Sequence, residues 1–87
     1  MRPSKPVRLT VHAREQCLER GTNEAEVSEV ILRGPREPAK HGRWLYRLNL
    51  PHGREWQGRT YAIKQVAPIV AETDEEFVVI TVYTFYF

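Results

Sequence analysis

The spacing of apolar residues changes once along the chain, and the change separates a helical part from a strand part. Up to about residue 33, apolar side chains recur every three or four positions, as in the stripe formed by Val27, Val30 and Ile31. In residues 43–50 they alternate with polar side chains, which is the period of a strand. The pattern predicts an α+β domain, with two N-terminal helices packed on one face of a twisted, three- to four-stranded antiparallel sheet.

Capping residues predict where the two helices begin and end. Thr10 is a suitable N-cap for a first helix that runs to about residue 20, and Gly21 is a suitable stop. Asn23 followed by Glu26 resembles a capping box at the start of the second helix. Gly34 follows the last turn of that helix, so both helices are expected to be short.

The strand in residues 43–50 is predicted to have one apolar and one basic face. The apolar face carries Trp44, Tyr46, Leu48 and Leu50, and the other carries Arg43, Leu45, Arg47 and Asn49. Residues 51–54 are predicted to form a turn. Residues 59–71 are predicted to form one or two further strands. Pro68 lies within this segment, so it is expected to be at an edge, in a bulge or at a break between two strands.

The C-terminal segment is predicted to be the central strand. Residues 73–76 have the composition of a turn, and residues 77–85 are rich in β-branched and aromatic side chains on both faces. The whole chain, residues 1–87, is long enough for one domain, and residues 1–6 are expected to be a loose lead-in.

Charge is distributed unevenly along the chain. The net charge is +2, but residues 33–64 carry eight basic and two acidic groups, whereas residues 65–87 carry four acids and no Lys or Arg. The middle third is therefore a candidate anion-facing surface, unless these cations only solvate strand edges and turns.

Several classes of protein and site are disfavoured by the composition. No apolar run reaches the roughly 18 residues of a membrane span, and the N-terminus lacks a signal-like stretch. The single Cys17 permits no internal disulfide, and His41 and His52 lack a ligand-spaced partner. We therefore expect a cytoplasmic protein without membrane contact, metal or cofactor.

The first helix carries the clearest candidates for chemistry. Its apolar side is predicted to comprise Val11, Ala13, Cys17 and Leu18. Arg14 projects from that side and is expected to reach the rim or to pair with a carboxylate. His12 lies in the first turn, where the helix dipole disfavours the imidazolium, so the neutral ring is able to act as a general base or merely to pack locally. Arg20, two turns later, either shares a groove with His12 or complements the helix dipole.

The strands contribute further candidates. Arg47 and Lys64 are basic, and Thr81 and Tyr83 carry hydroxyl groups. Thr81 is unusual as a polar residue inside an apolar strand, where a buried hydroxyl bonded locally is the preferred interpretation and a functional hydroxyl the alternative. Tyr83 is equally compatible with a core position.

Three segments of the chain resemble the domain-of-unknown-function family 4258. They are residues 11–21 (VHAREQCLERG), 26–31 (EVSEVI) and 79–83 (VITVY). That family resembles the small metal-independent ribonuclease domains of RelE, barnase and colicin type. The resemblance implies two helices on a four-stranded antiparallel sheet, RNA cleavage, and a toxin-like context with an antitoxin-like protein partner. Its motif matches His12, Arg20, Thr81 and Tyr83, whereas Gln16 stands where the family more often has arginine.

Two functional hypotheses follow. In the first, the chain is a metal-independent ribonuclease in which His12 is the base or acid and the 2′-hydroxyl of RNA is the nucleophile. Arg47, Lys64 and Arg20 then stabilise the phosphorane, and Thr81 or Tyr83 orients the phosphate. Tyr46, Trp44 and Trp56 are the aromatic residues considered for base stacking. In the second hypothesis, the chain is a non-catalytic module that binds RNA or protein, as a monomer or weak homodimer.

Overall fold

The computed structural model describes residues 5–87 and has the predicted α+β architecture. Residues 1–4, part of the predicted lead-in, lie outside the described residues. The elements are β1 (Val7–Leu9), α1 (Val11–Arg20), α2 (Glu24–Arg33), β2 (Arg36–Pro38), a 3₁₀ turn (Lys40–Gly42), β3 (Trp44–Tyr46), β4 (Leu48–Trp56), β5 (Arg59–Glu72) and β6 (Phe77–Tyr86). Within residues 5–87, neither helix is long enough to cross a bilayer.

Both helices begin and end where the capping residues predict. The Thr10 side chain accepts a hydrogen bond from the Ala13 N–H at 3.1 Å, and the Asn23 side chain accepts one from the Glu26 N–H at 2.9 Å. Gly21 ends α1 with φ of 75°, a left-handed conformation that glycine adopts without steric cost. The two ten-residue helices are thus defined by local signals.

The sheet is larger than predicted and mixed. It has six strands in the order β1-β6-β5-β3-β2, and β4 also pairs with β5. All pairs are antiparallel except β1 with β6, which run parallel. The prediction of three to four antiparallel strands missed β1 and β2 because each has only three residues, too few to show an alternating pattern.

The end of the lead-in is fixed to the sheet rather than loose. The Pro6 carbonyl accepts a hydrogen bond from the Phe77 N–H at 2.9 Å, which extends the parallel pairing of β1 with β6. The Lys5 ammonium lies 2.7 Å from the Glu72 carboxylate and also donates to the Thr73 carbonyl. Glu72 in turn accepts from Arg36 at 2.9 Å, so one carboxylate joins the lead-in, β2 and β5.

This carboxylate predicts a pH dependence of stability. Hydrogen bonds from Lys5 and then Arg36 lower the pKa of Glu72 below its ordinary value of 4.5. Because the folded state binds the proton less readily than the unfolded state, the stabilisation is present above pH 4.5 and is lost as the pH falls through the lowered value. Thermal unfolding followed between pH 6 and pH 3 is expected to show a smaller acid loss in Glu72→Gln than in the unchanged protein. Equal acid losses in the two proteins would contradict this assignment.

The predicted turn at residues 51–54 is wrong, because β4 continues to Trp56. The reversal occurs at Gln57 and Gly58, whose φ values of 50° and 84° suit a two-residue hairpin. Pro51 is tolerated within the strand since, among the strands of residues 5–87, β4 pairs with β5 alone. The pairing of β4 with β5 shifts register between residues 51 and 54, and Gly53 has a positive φ there. The turn-like composition of this segment therefore corresponds to a β-bulge within the strand.

Of the outcomes predicted for Pro68, a break, a bulge or an edge position, the structure shows a bulge beside it, because β5 runs unbroken from Arg59 to Glu72 and its pairing with β6 shifts register between Ile69 and Val70. The registers of β3 and β4 along β5 are continuous, with Leu45 opposite Ile69 and Leu48 opposite Val66. Residue 47, between β3 and β4, is not part of a strand. Proline has no N–H to donate at this point of the ladder, so the neighbouring strand is divided beside Pro68.

One face of the sheet is covered by the two helices. Beneath α2, its predicted stripe of Val27, Val30 and Ile31 is fully buried. On α1 the predicted face is only half right, since Ala13 and Cys17 are buried but Val11 and Leu18 are exposed. The core comprises Leu9, Ala13, Cys17, Val27, Val30, Ile31, Tyr46, Leu50, Val66, Val70, Phe77, Val79 and Val82.

The rotation of α1 follows from what it packs against. Among residues 5–87, β1 pairs with the first three residues of β6, and no strand pairs with the same edge of β6 beyond Val79. Gln16 faces this edge and accepts a hydrogen bond from the Val82 N–H at 2.8 Å, and Arg20 donates to the Val82 carbonyl at 2.7 Å. Because of these polar contacts, α1 is oriented with Gln16 against the sheet and with the apolar side chains of Val11 and Leu18 exposed to solvent.

Candidate functional site

The face of the sheet opposite the helices carries three parallel rows of side chains. The pairing registers give the rows Leu45–Ile69–Thr81, Arg47–Ala67–Tyr83 and Asn49–Gln65–Phe85, with Arg47 placed beside Ala67 by the common register of β3 and β4. We call this nine-residue surface the open face. It combines a guanidinium, two amides, two hydroxyl groups and two exposed aromatic rings around the small Ala67.

Arg20 reaches the open face from α1, across the free edge of β6. Its guanidinium carbon lies 5.3 Å from the centre of the Tyr83 ring, while Nη1 donates to the Val82 carbonyl. A guanidinium has five N–H donors, so this arrangement leaves donors beyond the bond to Val82. The Arg20 charge is therefore positioned beside Tyr83, whose ring is 42% exposed.

His12 lies on the same side of α1 as Gln16 and Arg20. It precedes Gln16 by one helical turn, about 6 Å along the axis. The ring is exposed, and within residues 5–87 it is not held by a hydrogen bond or ion pair. The adjacent N-cap Thr10 donates its hydroxyl to the Ile80 carbonyl at 3.4 Å, so the start of α1 is tied to β6 next to Thr81.

Four of the six predicted site residues therefore share one surface. Arg47, Thr81 and Tyr83 lie on the open face, and Arg20 reaches it over the edge of β6. His12 lies beside that edge on α1. Adjacent strands lie about 4.8 Å apart, so the Cα atoms of Arg47 and Tyr83 are about 10 Å apart across Ala67.

Lys64, the sixth predicted residue, is on the opposite face. Its side chain is 2% exposed and its ammonium lies 2.6 Å from the Glu26 carboxylate. It also donates to the Gly21 carbonyl at 2.8 Å. The alternation that places Val66 in the core places Lys64 there as well, so this lysine joins α2 to β5 and is not a phosphate-binding group.

Gln16 has a structural role at the edge of β6. It is buried, and its carbonyl oxygen accepts the Val82 N–H. An arginine has no acceptor atom for this N–H. The amide of Gln16 is therefore needed to satisfy the backbone of β6, and the Arg20 guanidinium binds the carbonyl of the same residue, Val82.

Arg47 has an acidic partner. Both Nε and Nη2 lie 3.3 Å from Oε1 of Glu37, and Nη1 lies 3.5 Å from the Gln65 amide oxygen. The Gln65 amide nitrogen donates to Asn49 at 2.9 Å. These contacts form a continuous polar chain across β2, β4 and β5 at one side of the open face.

Two adjoining cavities flank Arg47 and Pro35. One, of about 370 Å³, is lined by Pro35, Arg36, Glu37, Leu45 and Arg47. The other, of about 420 Å³, is lined by Pro35, Arg47, Leu48, Asn49 and Gln65. Volumes of this size are typical of small-ligand sites. Sequence reasoning missed Glu37 and Gln65 as site residues, although Asn49 was placed on the same strand face as Arg47.

The three aromatic residues considered for base stacking are engaged elsewhere. Tyr46 is fully buried, Arg36 lies 4.0 Å from the centre of the Trp44 ring, and Trp56 stacks on Tyr86 at 5.2 Å. The exposed rings are instead Tyr83, Phe85 and Phe87, the alternate residues at the end of β6 and the chain terminus.

The basic middle third does not gather into one patch. Arg33 pairs with Glu29 and Arg36 pairs with Glu72, so part of its charge is neutralised locally. Lys40 lies in the turn before β3, whereas Arg54 and Arg59 lie near the tip of the β4–β5 hairpin, at the other end of the sheet. The useful cations of the open face are consequently Arg20 and Arg47.

The placement of the side chains gives no support to cysteine nucleophilic catalysis or to metal binding within residues 5–87. Burial raises the pKa of the Cys17 thiol, which disfavours the thiolate required of a nucleophile. Within residues 5–87, no three His, Cys, Asp or Glu side chains converge as metal ligands.

Comparisons with known proteins leave the family open. None of the protein-family models, curated proteins or solved structures compared with this chain matches it.

Proposed function

We propose that this chain is a small metal-independent ribonuclease-like domain that binds single-stranded RNA on its open face. The observation that carries the proposal is the position of Arg20, which lies over Tyr83 on the side of α1 that also bears His12. A cation, an exposed ring and an exposed imidazole thus border the same strand edge. The resemblance to family 4258 is consistent with these three positions.

The chemistry requires little beyond positioning, because RNA supplies the nucleophile. His12 takes the proton of the 2′-hydroxyl, the bond from O2′ to phosphorus forms, and the bond from phosphorus to O5′ breaks. The leaving O5′ takes a proton from water, which gives a 2′,3′-cyclic phosphate and a 5′-hydroxyl end. Arg20 stabilises the charge that develops on the phosphoryl oxygens, and the hydroxyl of Thr81 or Tyr83 orients the phosphate.

The test is cleavage of single-stranded RNA by the purified protein in the presence of a chelator. We expect cyclic phosphate ends, and a rate about 10² to 10⁴ times lower in His12→Ala, since this is the usual contribution of a general base. His41→Ala is the matched control, because His41 is exposed in the turn before β3. Intact RNA, or equal cleavage by His12→Ala and His41→Ala, would remove the ribonuclease proposal.

The alternative is a non-catalytic RNA- or protein-binding module of the same fold. It is favoured by the His12 ring, which no neighbouring group orients within residues 5–87. Exposed Tyr83 and Phe85 suit binding without catalysis equally well. RNA binding that weakens with salt but gives no cleavage would select an RNA-binding module. A protein-binding module would retain no RNA at physiological salt.

A further inference from the structure

We propose that the cleft around Arg47 is a nucleotide-binding subsite in which an RNA phosphate displaces the Glu37 carboxylate from Arg47. In the same subsite, the amide pair Asn49–Gln65 hydrogen-bonds the edge of the adjoining base. The inference rests on the proposed function for its ligand class, single-stranded RNA, and assigns Arg47 to binding rather than to the reacting phosphate.

Arg47 already binds an anionic group, the carboxylate of Glu37. One Glu37 oxygen lies 3.3 Å from both Nε and Nη2, on an edge of the guanidinium that is equally able to donate hydrogen bonds to phosphate oxygens. The side chains are exposed by 45% for Arg47 and 59% for Glu37. An ion pair this exposed is weak and screened by salt, so a phosphate is able to replace the carboxylate.

The amide pair Asn49–Gln65 offers hydrogen-bond donors and acceptors for the edge of a nucleotide base. Gln65 donates to Asn49 at 2.9 Å and accepts from Arg47 at 3.5 Å, and these bonds leave N–H donors on both amides and further acceptor capacity on the Asn49 oxygen. The cavity of about 420 Å³ that both amides line also contains Arg47 and the apolar Leu48. A ribonucleotide placed there meets a cation for its phosphate, amides for its base edge and an apolar wall.

The subsite is separate from the reacting position. Arg47 and Tyr83 occupy the two ends of one row, about 10 Å apart across Ala67. A strand of RNA that crosses this row binds one phosphate at Arg47 and another beside Arg20. The subsite therefore holds a nucleotide that flanks the bond to be cleaved.

The test measures equilibrium binding of fluorescent 2′-O-methyl oligonucleotides of A, U and C, which lack the nucleophilic hydroxyl and are not cleaved. We expect Glu37→Gln to bind about two- to fivefold more tightly, the range set by the strength of an exposed ion pair. We expect Arg47→Gln to bind more weakly, with the slope of log K against log salt reduced by about 0.7. Asn49→Ala is expected to change the ratio of affinities among the three oligonucleotides.

The controls are Glu29→Gln and Arg33→Gln, which change charge by the same amounts in the ion pair on the outer side of α2. If Glu37→Gln and Arg47→Gln alter affinity no more than these controls, only long-range charge is acting and the subsite is refuted. Equal effects of Asn49→Ala on all three oligonucleotides refute the base contact. Because cleavage plays no part in this assay, an inactive His12→Ala or an inactive parent protein leaves its outcome unaffected.

Discussion

Replacing Lys64 with alanine is expected to lower the free energy of unfolding by about 3–5 kcal/mol, the usual cost of breaking a buried ion pair. The Lys64 side chain is 2% exposed, and its ammonium contacts both Glu26 and the Gly21 carbonyl. When the ammonium is removed, the Glu26 carboxylate loses its cationic partner and keeps the hydrogen bond from the Thr22 hydroxyl at 2.8 Å. A domain of this length has about 4–13 kcal/mol in total, so a large part of its stability is lost.

Urea unfolding followed by circular dichroism measures this loss. Lys40→Ala is the control, since Lys40 is exposed in a turn and its replacement is expected to change stability by no more than about 0.5 kcal/mol. The double variant Lys64→Met with Glu26→Leu is expected to recover most of the stability, because it leaves neither charge unpaired. A Lys64→Ala protein as stable as Lys40→Ala would show that the buried pair contributes nothing.

The second large effect is expected for Gly21→Ala, at about 2–5 kcal/mol. Part of the cost, about 1–2 kcal/mol, is the left-handed conformation, since φ is 75°. The remainder, about 1–3 kcal/mol, is overpacking. An added Cβ would lie 2.5 Å from the ring of Trp56 and 2.5 Å from the Tyr86 hydroxyl oxygen, two side chains that are already stacked on each other.

Gly42→Ala separates these two contributions. Gly42 has φ of 71°, but an added Cβ there meets no atom within 4 Å. Its replacement is therefore expected to cost only the conformational part, about 1–2 kcal/mol. Equal losses for the two variants in thermal or urea unfolding would mean that Trp56 and Tyr86 move aside freely and that the contact is not tightly packed.

The sequence predicted the elements whose signals are local. Thr10, Gly21 and Asn23 define helix ends through bonds to residues within five positions, so the signal for these ends lies in a short stretch of sequence. The alternation in residues 43–50 likewise predicts the buried positions of Tyr46 and Leu50. These features are visible in a window shorter than one helix or strand.

The features that were missed depend on residues distant in the chain. The buried state of Lys64 depends on Glu26, which is 38 positions away. The orientation of α1 depends on the bond between Gln16 and the backbone of Val82. For the candidate site, the structure brings Arg20, Arg47, Thr81 and Tyr83 to one surface, and Glu37 and Gln65 join it only through strand pairing. The spacing of apolar residues within one helix or strand does not reveal contacts between residues that are distant in the sequence.

The contact of Gln16 and Arg20 with β6 has a consequence for assembly. By occupying the polar groups of Val82, these side chains block a position where another chain would otherwise add its backbone in a ladder. β6 is rich in Val, Thr and aromatic residues, and it carries no Lys, Arg, Asp, Glu or Pro to resist fibril growth. α1 therefore covers part of the free edge of a strand whose composition is typical of fibril-forming segments.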